Sequence, residues 1–230
     1  MRHEEPPMPI KAVLLGSIGV LAETSELQRE AFNRAFAEAG LDWVWSPEDY
    51  RTLLERPGGR DRIAREAERA EIQVDAAALH RRKSELFQER MMEVGLTLRP
   101  GVAEVIEAAG RQRTLLGLVT TTDRANVSRM LEALTHPVTA EDFAFIGSRD
   151  MVARGKPDPE IYARALHLLD LAPTDAVAVE DTPESAASAL AAGIPTLAYP
   201  GHYHRGRAFP PGAQRIEVLS AAAVGLGGPA

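Results

Sequence analysis

AVAVEDTPESAASALAAGIPTLAY, residues 176–199, carries the plan of the molecule in one stretch. Ala176 to Val179 is a short apolar run that ends on two acids, Glu180 and Asp181. A small-residue helix follows from Pro183 to Ala192 and stops at Gly193, and Pro195 to Tyr199 is again apolar. Strand, helix and strand in this order form a crossover unit, whose two strands lie parallel in one sheet. The same alternation extends upstream. Lys11 to Gly16, Leu115 to Thr120 and Ala144 to Gly147 read as strands, and Val102 to Gly110, Asn126 to Leu134 and Glu160 to Leu169 read as helices. Right-handed crossovers place these helices on both faces of the sheet. The fold class is therefore α/β, with a Rossmann-like parallel-sheet core.

The alternation breaks once. From about Ser25 to Leu98 the chain is helical in character, with Leu27, Ala31, Phe32, Ala35 and Phe36 at helical spacing and Leu79, Leu86 and Phe87 repeating the theme. Pro57, Gly58 and Gly59 punctuate the middle. This predicts a core built from residues 1–24 and 99–230 and an inserted helical cap over 25–98. Trp43 and Trp45 are expected to pack within that cap. The alanine- and glycine-rich tail, residues 221–230, is expected to fray.

Composition narrows the function classes. At 230 residues, 45% hydrophobic and 26% charged, the chain is ordinary for a globular protein. Its net charge of −7 argues against a nucleic-acid partner, because a phosphate backbone requires a basic face. There is no cysteine, which removes thiol nucleophiles, disulfides and cysteine-ligated zinc. No apolar run reaches the roughly 18 residues of a membrane span, and the opening MRHEEPPMPI has no signal-peptide pattern. A cytoplasmic protein with a short unstructured leader is expected.

Ligands of an open parallel sheet bind at the carboxyl ends of its strands. The residues at those ends are Gly16, Ser17 and Ile18; Thr120, Thr121, Thr122 and Asp123; Lys156; and Glu180 with Asp181. The Thr120 hydroxyl and nearby backbone amides suit a phosphate oxygen, or alternatively cap the next helix. Lys156, stiffened by Pro157 and Pro159, either neutralises a phosphate or is a solvated lysine. Glu180 and Asp181 suit a hard cation such as magnesium, while Asp181 alone also reads as a helix cap. His202 and His204 have metal-like spacing without an evident third ligand and read better as an exposed loop near the cleft.

Taken together, GKPDPEIY (155–162), VEDTPESAASALAAGI (179–194) and LVTTT (118–122) resemble three motifs of haloacid-dehalogenase-superfamily phosphatases. The stretch from Ala22 to Tyr50, with PGGRDRIAR, LRPGV and VTTTDRANV, is similar to the CbbY-type members of the phosphoglucomutase-like subgroup. The resemblance implies a helical cap over a Rossmann-like core, magnesium as cofactor and a phosphorylated sugar as ligand. In those relatives the ligand is xylulose-1,5-bisphosphate, an inhibitor of rubisco. It implies phosphate binding by Thr120, Thr121 and Lys156, and metal ligation by Glu180 and Asp181.

One motif departs from the pattern. Relatives read D-x-D-G-T/V-L at the end of the first strand, where the first Asp is the nucleophile and the second the general acid and base. Here the flanks VLL and GVLAET leave Gly16 and Ile18 at those two positions. Neither attacks phosphorus or carries a proton, and losing general acid–base catalysis alone costs about 10²–10⁴-fold. Ser17 is no substitute, since alternation points it away from the face of its neighbours. The E-x-x-H residues that touch substrate in relatives are Ser25 and Gln28 here. Three functions remain open: a phosphatase-derived chain that binds phosphorylated ligands with little turnover, an active magnesium-dependent sugar-phosphate hydrolase or its mutated form, and a non-enzymatic interaction protein.

Overall fold

A computed structural model of the chain describes residues 9–16 and 18–227. Ser17, most of the expected leader and residues 228–230 of the expected frayed tail lie outside the described residues.

Strand β1 (Ala12–Leu15) is central in a six-stranded sheet with β2 (Leu115–Leu118), β3 (Phe145–Ile146), β4 (Ala176–Glu180), β5 (Thr196–Ala198) and β6 (Ala213–Arg215). The order is β3-β2-β1-β4-β5-β6, and every pairing is parallel. Side chains alternate between faces along each strand. Val13 and Leu15 enter one hydrophobic layer with Val105, Leu118, Val127 and Val179. Ala12 and Leu14 enter the opposite layer with Ile161, Tyr162, Ala165 and Ala189. The helices α6 (Val102–Gln112), α7 (Arg124–Ala133), α8 (Glu160–Leu168) and α9 (Pro183–Ala191) cover the two faces. The five expected strands and four expected core helices are therefore present, with ends shifted by a residue or two.

Between β1 and β2 the chain forms a short turn of helix, α1 (Ile18–Leu21), then α2 (Ser25–Glu38), α3 (Pro47–Leu53), α4 (Gly59–Arg69) and α5 (Ala76–Val94). Among the described residues from 25 to 98 there is no strand, and only the single bridges Ala22–Leu98 and Leu96–Leu134 tie the ends of this segment down. Phe32, Phe36, Trp45, Tyr50, Ile63 and Leu79 form a separate core there. Trp45 packs edge-on against Phe36 with centroids 4.7 Å apart, and Trp43 lies edge-on to the same ring at 5.2 Å.

Two expectations are corrected. The tail through Gly227 is packed rather than frayed: Val224 and Leu226 are buried, and Gln112 Nε2 donates to the Leu226 carbonyl at 2.7 Å. The loop with His202 and His204 is not simply exposed. His204 is buried, and Tyr203 inserts into the aromatic core of the helical segment, edge-on to Tyr50 at 5.7 Å. Strand β6 was not anticipated, because Ala213-Gln214-Arg215 has no apolar alternation.

Candidate functional site

The register sets the site. Leu15 lies level with Leu118 and with Val179, so Gly16, Val119 and Glu180 emerge side by side at the carboxyl edge of the sheet. Lys156, from the loop before α8, reaches this edge and is buried there. Its ammonium donates to the carbonyls of Gly16 and Val119, the second at 2.7 Å, and to Glu180 Oε1 at 2.5 Å. The hydroxyl of Tyr162 donates to the same Glu180 oxygen at 2.6 Å. Lys156 also stands over the Tyr162 ring, 4.8 Å from its centroid.

Gly16 makes this arrangement possible. A Cβ on residue 16 would sit 2.0 Å from Glu180 Cδ and 2.1 Å from Oε1. The Glu180 carboxylate thus lies where a side chain at position 16 would begin. Glu180 is 0% exposed, and its second oxygen, Oε2, is buried without a hydrogen-bond partner. Burial pushes its carboxyl up to about 7, against the pull of the Lys156 ammonium, while neighbouring Asp181 adds to the rise. Burial likewise holds the Tyr162 phenol well above its ordinary range, so it remains a donor.

The other expected residues surround this centre. Thr120 is buried and its Oγ1 accepts from the Thr122 amide at 3.1 Å, shaping the turn before α7. Thr121 and Thr122 face a cleft of about 750 Å³ between the sheet edge and the helical segment. Ile18 and Asp181 line a smaller cavity of about 210 Å³ with Gln28 and His204. Helix α9 is capped by Thr182, whose Oγ1 accepts from Ser185 N at 3.2 Å, so the alternative reading of Asp181 as the helix cap is not realised.

The magnesium implied by the motifs does not fit the residues present. Among the described residues no three His, Asp or Glu side chains converge on one point. Position 16 supplies no carboxylate, and the Glu180 oxygen nearest to it already accepts from a lysine and a tyrosine. His202 and His204 find no third partner of metal-ligand type among the described residues.

The larger cleft contains residues that the sequence reading did not single out. Arg60, Arg62, Lys83 and Arg149 line it against two carboxylates, Asp61 and Asp123. Arg62 is buried, donates to the carbonyls of Leu53 at 3.0 Å and Arg56 at 3.1 Å, and rests against the rings of Phe32 and Tyr50. The first turn of α4, which carries Arg60, passes so close to His80 that a Cβ on Gly59 would lie 2.5 Å from its Nε2. A signal for Lys83 was available: it sits four residues after Leu79 and four before Phe87, on the apolar face of α5, where an unpaired charge is out of place.

Chemically, the site is a cationic, partly closed cleft that suits phosphorylated ligands, set above a sheet edge with glycine at position 16. The haloacid dehalogenase-like hydrolase family model matches residues 19–199. Protein CbbY of Rhodobacter capsulatus is 42% identical over 219 residues, which cover 94% of this chain and 96% of that one. A phosphorylated carbohydrates phosphatase of Thermotoga maritima is 30% identical over 189 residues, 80% of this chain and 82% of the relative. A mutant CbbY from Rhodobacter sphaeroides, solved in complex with xylulose-(1,5)bisphosphate, superposes with a TM-score of 0.83 at 40% identity, covering 91% of this chain and 94% of that one.

Proposed function

The chain belongs to the haloacid dehalogenase-like hydrolase family and, within it, to the CbbY-like phosphatases, and from that premise we propose that it binds a phosphorylated sugar without turning it over by the aspartyl-phosphate route. The observation that carries this reading is Gly16. The nucleophile position has no side chain, and the Glu180 carboxylate lies 2.0 Å from where one would start. All three protons of the Lys156 ammonium are committed to Gly16, Val119 and Glu180. Ile18, at the acid/base position, is buried among apolar neighbours and transfers no proton.

Binding is supported by the cleft that remains. Its arginines and Lys83 outnumber its carboxylates, and Thr121 and Thr122 present hydroxyls and backbone amides at the turn into α7. The division of labour is part of the proposal: residues 25–98 act as a cap that supplies the cations, and the core contributes Thr120, Thr121, Lys156, Glu180 and Asp181. A xylulose bisphosphate is the first ligand to test, since the CbbY neighbour carries one. A cytoplasmic location belongs to the same proposal and agrees with a composition that has no cysteine.

A second reading, an active sugar-phosphate phosphatase, is favoured by the 42% identity to a CbbY protein over nearly the whole chain. Phosphate release from sugar mono- and bisphosphates, with and without magnesium, separates the two. The binding reading expects a ligand-dependent rise in melting temperature and no release. Turnover near ~1 s⁻¹, ordinary for an enzyme, would replace it with the phosphatase reading.

A further inference from the structure

The chain has three lysines, Lys11, Lys83 and Lys156, and writes its other side-chain cations as arginine. That distinction is chemical, because arginine does not deprotonate in proteins and lysine does. Lys11 is an ordinary surface lysine, 60% exposed and paired with Asp175 at 3.0 Å. Lys156 is fully hydrogen-bonded. Lys83 differs from both. It is 4% exposed, lines the 750 Å³ cleft, and has no carboxylate within ion-pair distance among the described residues. Its amine donates to Gln28 Oε1 at 2.9 Å and otherwise stands between two rings, 4.7 Å from the centroid of Phe32 and 4.9 Å from that of Phe87.

Burial and the nearby Arg62 guanidinium lower the Lys83 ammonium to about 7, so a large share of it is free amine at neutral pH. A desolvated lysine amine in a ligand cleft is the usual nucleophile toward a carbonyl carbon. Arg60 and Arg149 line the same cleft and suit a phosphate on the same ligand. His80 lies one turn before Lys83 on α5, lines the cleft too, and is held below its ordinary range chiefly by burial, so it is available as a neutral proton carrier.

We propose that Lys83 forms a reversible imine with the carbonyl of an open-chain aldose or ketose phosphate held in this cleft. The neutral amine adds through its lone pair to the carbonyl carbon, a proton passes from the adduct's nitrogen to the oxygen, and the carbinolamine takes up one proton from solvent at its hydroxyl and loses water to give the protonated imine. Nothing is oxidised or reduced, and hydrolysis reverses every step. The inference rests on the phosphosugar-binding reading and adds a covalent hold to it.

The test uses the whole protein with dihydroxyacetone phosphate, and with glycerol 3-phosphate as a carbonyl-free partner, under borohydride. A trapped adduct adds the mass of the ketose phosphate less one oxygen atom. Peptide mapping should place it on Lys83, with both ligands raising the melting temperature of the native protein and Lys83→Arg losing the adduct. If both ligands stabilise the protein and no adduct forms on Lys83, the imine is refuted and the binding reading stands. If neither ligand stabilises it, the binding reading falls and takes the imine with it. An adduct found equally on Lys11 and the N-terminal amine would also overturn the proposal. Mapping the native chain decides the matter even where the variant fails to fold.

Discussion

Replacing Gly16 by aspartate tests the central geometry, because the perturbation and its price can be worked from distances. A Cβ at this position would lie 2.0 Å from Glu180 Cδ, so Glu180 must rotate away. In moving, its Oε1 gives up Lys156 at 2.5 Å and Tyr162 at 2.6 Å. The new carboxylate can take the lysine, but the displaced glutamate is then left without a cation near its burial site. Breaking a buried ion pair costs about 3–5 kcal/mol, and the partial replacement should leave a net loss of about 3 kcal/mol. For a chain of this size, each kcal/mol is worth about 2–4 °C, so Gly16→Asp should melt roughly 6–12 °C below the native protein in chelator. The new aspartate and the displaced Glu180 then stand side by side with one ammonium between them, an excess of negative charge that suits a divalent cation. Magnesium at 100 times its dissociation constant contributes about 2.7 kcal/mol, enough to return most of the loss. The assay is a thermal melt of native protein, Gly16→Asp and Gly16→Ala, each with chelator and with excess magnesium. Gly16→Ala should fall like the aspartate variant and recover little, having the clash without the new ligand, and the native chain should not respond. A Gly16→Asp protein as stable as the native one in chelator, or indifferent to magnesium, would refute the reasoning.

Adding Ile18→Asp to Gly16→Asp supplies a proton carrier, so the folded double variant should release phosphate from sugar phosphates in magnesium faster than the native chain measured beside it; Ile18→Asp alone should add nothing. Lys156→Met should destabilise the protein by about 3–5 kcal/mol at neutral pH in a urea melt, and by less near pH ~5, where Glu180 is protonated and needs no counterion. The Glu180 carboxyl is raised from 4.5 to about 7 on folding. A raised carboxyl binds its proton more tightly in the folded state, so its contribution to stability is intact below about 4.5 and is lost as pH rises through about 7. The stability of the native protein relative to Glu180→Gln should therefore decline by about 3 kcal/mol across that window; a flat difference would show that burial does not govern this group.

The sequence by itself determined the α/β class, the five strands with apolar patterning, the four core helices and the helical segment between the first two strands. These follow from periodicity, which is local: a run of four to six residues declares its own face. By resemblance it also put Gly16 and Ile18 at the positions where the family pattern reads aspartate, because the flanking residues leave no gap. What only the tertiary structure decided concerns contacts between distant positions. That Glu180 fills the space beside Gly16 depends on the register of β1 against β4 and on the reach of a lysine 140 residues from Gly16. Strand β6 pairs by backbone hydrogen bonds at a sheet edge, where side chains need not alternate. Tyr203 crosses into the aromatic core of the helical segment, and Lys83 comes to face a cleft assembled from α2, α4, α5 and the turn before α7. Burial removes the water that would have levelled these charges, and burial is set by what the rest of the chain packs against them, which no local pattern encodes.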